Sequence, residues 1–134
     1  MPRRQDLYLQ QNFAVDYGHP SLTANETNDI YTVPSGRSAV IDRVLYVNPT
    51  GLATSDTNYV VISAICNGQV AASWSTKLTG GDGALVAGTQ VAPTVSGTAA
   101  NINAAAGQKI QFEVTVTGTP TLPAGAIRVE GRLL

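Results

Sequence analysis

The sequence predicts an all-β fold: an antiparallel β-sandwich, jelly-roll-like, with an extended N-terminal arm. Three observations carry that prediction. Two C-terminal segments alternate apolar and polar residues with a period of two. A β-branched apolar segment runs directly into Asn67-Gly68, a hairpin signal. No segment carries an apolar stripe of helical period.

Along the chain, residues 1–28 stand apart. Leu7, Leu9, Phe13 and Val15 are spaced as apolar anchors, and a polar run follows through Asn25-Glu26-Thr27-Asn28. This segment reads as an arm lying on a neighbouring subunit, or as a strand packed on its own domain. The division that follows is an arm over 1–28 and a sandwich over 29–134. Asp29–Val33 is a short strand closed by Pro34, which fixes φ and has no N–H to donate. Ser38–Val47 is a strand of mixed phase. Val40, Val44 and Tyr46 share one parity and Ile41 and Leu45 the other, so either both faces are covered or a bulge near Asp42-Arg43 shifts the phase.

Tyr59–Cys66 is almost wholly apolar and suits a central strand covered on both sides. Asn67-Gly68 then favours a type I′ turn, which requires positive φ at both central residues. Gln69–Ser75 is the expected return strand. Thr76–Gly88, with Gly80-Gly81-Asp82-Gly83, reads as a mobile loop. Thr89–Ser96 reads as a strand pushed by Pro93 toward an edge or a bulge. Ala99–Ala106 suits either a short strand around Asn101–Asn103 or one turn of helix.

The last two strands are the clearest. In Lys109–Thr117, Ile110, Phe112, Val114 and Val116 alternate with polar neighbours. In Ala126–Leu134, Ile127, Val129 and Leu133 do so. Each strand therefore has one buried and one wet face, the habit of antiparallel sheets. The loop between them is rich in Gly, Pro and Thr.

Composition limits the function. At 134 residues the chain is one domain in size, and 43% of it is apolar. Only 13% is charged, about half the usual share, so the surface is polar but weakly charged. That suits a protein held against other proteins. A net charge of −1 argues against nucleic acid as a partner. The tight basic pair Arg3-Arg4 is either a solvated tail or the tip of an arm docking on an acidic partner. No stretch approaches the ~20 apolar residues of a membrane span, and the start lacks a signal-peptide pattern. The expectation is a soluble protein synthesised in a host cytoplasm, with no membrane partner.

A search for chemistry finds no catalytic constellation. His19 is the single histidine and lies before Pro20, outside the strand-rich body. A Ser-His-Asp arrangement needs an oriented, buried imidazole. Cys66, the single cysteine, closes an apolar strand with no base or cation near it in sequence, so it reads as a buried structural thiol. One Cys and one His are too few for a zinc site. Glu113 and Glu130 fall on the wet faces of two strands expected to pair, where Lys109, Arg128 and Arg132 favour charge pairing over acid–base work. Asp82 stands alone in its glycine loop, short of a calcium or phosphate site. No enzyme activity, metal or cofactor is expected. Trp74 suits a core or rim aromatic, or an interface anchor.

From Val33 to Leu134 the chain resembles small bacteriophage virion proteins of the capsid decoration or cement type. The likeness lies in VPSGRSAVIDRVLYVNPTG, ASWST, AAAGQKIQFEVTVTG and LPAGAIRVEGR. It implies a jelly-roll or other β-rich domain that forms oligomers, a trimer preferred to a dimer. Such a domain clamps the major capsid protein at the virion surface without a cofactor. Contacts are then expected from Arg3, Arg4, Leu7, Leu9, Phe13 and Val15 of the arm, from loops Asn48–Asn58 and Lys77–Gly88 with Asp82, and from Trp74. Charge supports the two loops: between Val44 and Gln108 only Asp56, Lys77 and Asp82 are charged. The alternative function is a receptor- or glycan-binding module of a tail fibre or spike.

Overall fold

Period-two alternation builds two sheets that bury one face each against the other. A computed structural model describes residues 11–134. The strands are β1 (Gln11–His19), β2 (Glu26–Thr32), β3 (Ala39–Val47), β4 (Tyr59–Cys66), β5 (Gln69–Ser75), β6 (Asn103–Ala104), β7 (Lys109–Thr117) and β8 (Gly125–Leu133). One helical turn, α1 (Ala99–Ile102), precedes β6. The sheets are ordered β1-β8-β3-β6 and β2-β7-β4-β5, and every strand pair is antiparallel. Apart from the β4–β5 hairpin, each connection crosses from one sheet to the other. This is the jelly-roll plan, in which two short sheets cover each other. Between them lie Tyr46, Ile41, Ile62, Ile110, Phe112 and Val129, all at most 1% exposed.

That crossing corrects one expectation. β7 and β8 do not pair. β7 sits between β2 and β4, and β8 between β1 and β3. Glu113 and Glu130 therefore lie on different sheets. Glu130 accepts from Arg43 and Arg128, Lys109 pairs with Asp29, Arg128 also with Asp16, and Arg132 with Asp42. Cross-strand charge pairing is present, with other partners than the sequence suggested.

The N-terminal segment is also revised. β1 pairs with β8 in unbroken register from Gln11↔Leu133 to His19↔Gly125. β2 begins at Glu26 and pairs with β7. Residues 11–28 thus belong to the sandwich and not to an arm, because Phe13 and Tyr17 pack against the core. Arg3, Arg4, Leu7 and Leu9 lie outside the described residues.

The mixed phase of β3 is a bulge. Its register against β8 shifts between Ile41 and Arg43. Ala39 and Ile41 point inward before the shift and Val44 and Tyr46 after it, each 1% exposed. The expected hairpin has the expected turn: Asn67 and Gly68 adopt φ of 48° and 78°. A Cβ on Gly68 would meet nothing within 4 Å, so Gly68→Ala isolates the backbone term. It should lower stability by about 1–2 kcal/mol, read from the urea midpoint, with the slope of the transition unchanged.

Thr89–Ser96 does not form a strand. Val91 makes a single bridge to Tyr46, and the Ser96 amide bonds the Ala71 carbonyl at 2.7 Å. With Pro93 unable to donate, the segment leaves one sheet edge and reaches the other. Ala99–Ala106 opens with the helical turn the sequence allowed, α1, and the short strand lies at Asn103–Ala104 and not around Asn101–Asn103.

Candidate interaction surface

The loops that follow β1, β3, β5 and β7 are hydrogen-bonded to one another at one end of the sandwich. The 20–25 and 118–124 loops join through reciprocal Leu22–Leu122 bonds of 2.9 and 2.8 Å. The 118–124 loop joins the 48–58 loop, where Asn48 Nδ2 donates to the Pro123 carbonyl at 2.7 Å and the Thr119 amide donates to Asn58 Oδ1 at 2.9 Å. The 48–58 loop joins the long β5–β6 loop through reciprocal Leu52–Leu85 bonds of 2.8 and 2.9 Å. The Leu78 amide reaches the Ser55 carbonyl at 3.1 Å.

Every charge on the two larger loops is used internally. Asp56 accepts from the amide and the hydroxyl of Thr79, both at 2.8 Å, and these bonds hold its carboxyl below its ordinary pKa. Asp82 Oδ2 accepts from the Ser75 amide at 2.7 Å. The Lys77 ammonium lies 5.6 Å from the centre of the Tyr59 ring, a cation–π contact. Asp56 and Asp82 themselves face outward, and beside them Leu78 and Val86, 62% and 59% exposed, stand on the same paired loops among Thr, Gly and Ala.

Trp74 is half-buried. Its ring packs against the core and its Nε1 donates to the Gly83 carbonyl at 3.0 Å. With the Asp82 bonds, this fixes Gly80–Gly83 to the end of β5, so the expected mobile loop is tethered. Phe13, expected as an arm anchor, stacks on Tyr31 at 5.0 Å and 10°. Val15, half-buried, pairs with Val129. Of the expected contact elements among the described residues, the two loops face outward, and Phe13 and Trp74 are half-buried against the core.

Beneath the loop end lies a polar cluster that the sequence reading missed. His19 is 3% exposed, where the sequence suggested a place outside the body. Its Nδ1 lies 2.7 Å from the Pro20 carbonyl and its Nε2 lies 2.6 Å from the Tyr46 hydroxyl. Phe112 stacks on the ring at 5.1 Å and 13°, and the Tyr46 ring lies nearly parallel to it at 5.7 Å and 9°. Asn48 Nδ2 donates to the same Tyr46 oxygen at 3.2 Å, and Asn48 Oδ1 accepts from the amides of Thr50 and Gly51. Burial pushes the Tyr46 phenol up to about 12, with the Asn48 bond opposing. Burial also raises the Cys66 thiol, which befits a structural cysteine.

The available clue to His19 was parity. Phe13, Val15, Tyr17 and His19 alternate along β1, and the last of them had to point inward. Among the described residues, no group of three or more His, Cys, Asp or Glu side chains is arranged to hold a metal ion. No helix there is long and apolar enough to cross a membrane.

No family model matches the chain, and no curated protein matches it. Among solved structures, a chain from the structure of infectious bursal disease virus, Gt strain, is similar, with 11% identity and a TM-score of 0.39. The match covers 92% of this chain and 32% of that one, so this chain spans about a third of the length of its neighbour. At that identity and overlap the likeness assigns neither a family nor an activity.

Proposed function

We propose that the protein is a structural component of a bacteriophage particle, seated on the shell as a decoration or cement protein that bridges neighbouring capsid subunits. The role is mechanical and not catalytic, and the protein acts as a homo-oligomer. The single observation that carries this reading is the loop end: a surface of interlocked, sparsely charged loops whose two exposed carboxylates, Asp56 and Asp82, are hydrogen-bonded within the chain and which exposes Leu78 and Val86. Association there removes apolar area from water.

The test is a pair of substitutions on that surface, Leu78→Glu with Val86→Glu. Both positions are exposed, so each change should alter stability by no more than about 0.5 kcal/mol. Occupancy on purified particles should fall sharply, read by gel densitometry of sedimented particles. Unchanged occupancy of a normally stable variant contradicts the assignment of these loops. Specific glycan binding by the isolated protein would favour a receptor-binding role instead. This design leaves β1 whole, whereas deleting residues 2–15 would remove Gln11–Val15 from the sheet.

A further inference from the structure

We propose that His19, Tyr46 and Asn48 form an acid-sensitive latch: the neutral imidazole ties the loop end together, and its protonation releases the loops while the rest of the sandwich stays folded. The argument begins with donors and acceptors. The Pro20 carbonyl can only accept, so Nδ1 carries the ring proton. Nε2 is then the acceptor, and the Tyr46 hydroxyl donates to it. The Tyr46 oxygen in turn accepts from Asn48 Nδ2, which also holds Pro123. One neutral tautomer thus satisfies the whole set, linking the loops after β1, β3 and β7.

A second proton on Nε2 takes away the acceptor of the Tyr46 hydroxyl, whose own proton must turn elsewhere in a buried site, while the Tyr46 oxygen must accept from both Nε2 and Asn48 Nδ2. Little stands ready to stabilise the cation. β3 offers Tyr46, which stays a neutral phenol, and Asn48. β7 offers Phe112, and β8 offers Gly125 opposite His19. β1 carries Asp16, β3 Asp42 and Arg43, and β8 Arg128, Glu130 and Arg132, and these are ion-paired with one another on the outer face of their sheet. From β2, Glu26 favours the cation through its field, but its Oε1 is bonded to Asn28.

Desolvation outweighs the Pro20 carbonyl and Glu26, and the imidazole titrates below its ordinary 6.5. The sign follows. An opened imidazole binds a proton near pH 6.5 and the latched one does not, so opening is favoured as pH falls below 6.5, down to the latched value. The latch stands on this geometry alone. Its consequence for partner binding, weaker attachment in acid, rests on reading the loop end as the contact surface.

Amide hydrogen exchange between pH 7.5 and 5 tests it on the intact protein. The reporters are the hydrogen-bonded amides of Leu22, Thr50, Gly51 and Leu122. After correction for the intrinsic chemical rate, their opening constants should rise by up to about tenfold per pH unit below 6.5. The rise should vanish in His19→Gln, and β4 amides should stay protected through a separate, rarer opening. A flat profile, a rise that persists in His19→Gln, or loop and β4 amides opening together would overturn the latch. Should His19→Gln fail to fold, nuclear magnetic resonance titration of the His19 ring in the unaltered protein decides. A neutral ring protonated on Nδ1 that titrates below 6.5 supports the latch, and any other result overturns it. Particle binding plays no part in these readouts, so failure of the latch and failure of the capsid reading are distinguishable.

Discussion

Phe112→Ala should lower the unfolding free energy by about 3–5 kcal/mol, a large share of the ~5–15 kcal/mol that holds a domain together. Phe112 is wholly buried on β7, between Asn28 of β2 and Ala64 of β4. Its ring meets His19 at 5.1 Å and Tyr17 at 5.5 Å, the second in a tilted arrangement. Truncation therefore removes the ring's own transfer energy, two aromatic contacts and the filler between the sheets. Calorimetry should show the melting temperature falling on the order of 10 °C. Water admitted beside the imidazole should also bring the His19 titration back toward 6.5, because burial is the main cause of its depression. Phe112→Leu, which keeps most of the volume, should cost much less.

Gly131→Ala should be the costliest addition of a single methyl among the β8 positions. A Cβ there would run into the Val40 carbonyl oxygen and lie 2.7 and 3.0 Å from two carbons of the Phe13 ring, well inside the ~3.5–4.0 Å of a favourable carbon contact. Neither neighbour yields easily. The Val40 carbonyl precedes the β3 bulge, and Phe13 is stacked on Tyr31 across the gap between β1 and β2. The expected loss is about 1–3 kcal/mol, the range for overpacking, measured by urea unfolding. Adding Phe13→Ala separates the two clashes. The double variant should lose less than the sum of the single ones, because the ring clash disappears while the Val40 clash remains.

Much of this architecture is legible in the sequence where it depends on face alone. The alternation of Ile110, Phe112, Val114 and of Ile127, Val129, Leu133 identifies the inner side of β7 and β8. Asn67-Gly68 defines its hairpin through backbone sterics. The broken phase of Ala39–Val47 announces the bulge. Alternation tells which side of a strand is covered but not which strand lies beside it, and so the sequence pairs Glu113 and Glu130 wrongly. Residues 11–19 were obscured by polar Gln11, Asn12 and Asp16, though their odd positions carry the period. The His19–Tyr46–Asn48 cluster joins residues 27 and 2 positions apart, and no local pattern marks such a meeting. The loop surface is half legible: its sparse charge is in the sequence, while the pairing of Leu52 with Leu85 that makes it one surface is a product of the fold.

Electron cryomicroscopy of the intact particle tests the central claim most directly. Jelly-roll density should stand on the shell, with the 48–58 and 76–88 loops packed against a neighbouring capsid subunit and the charged outer face of β1, β8 and β3 turned to solvent. Particles that lack the protein, or that hold it by the charged face with Leu78 and Val86 pointing outward, would contradict it.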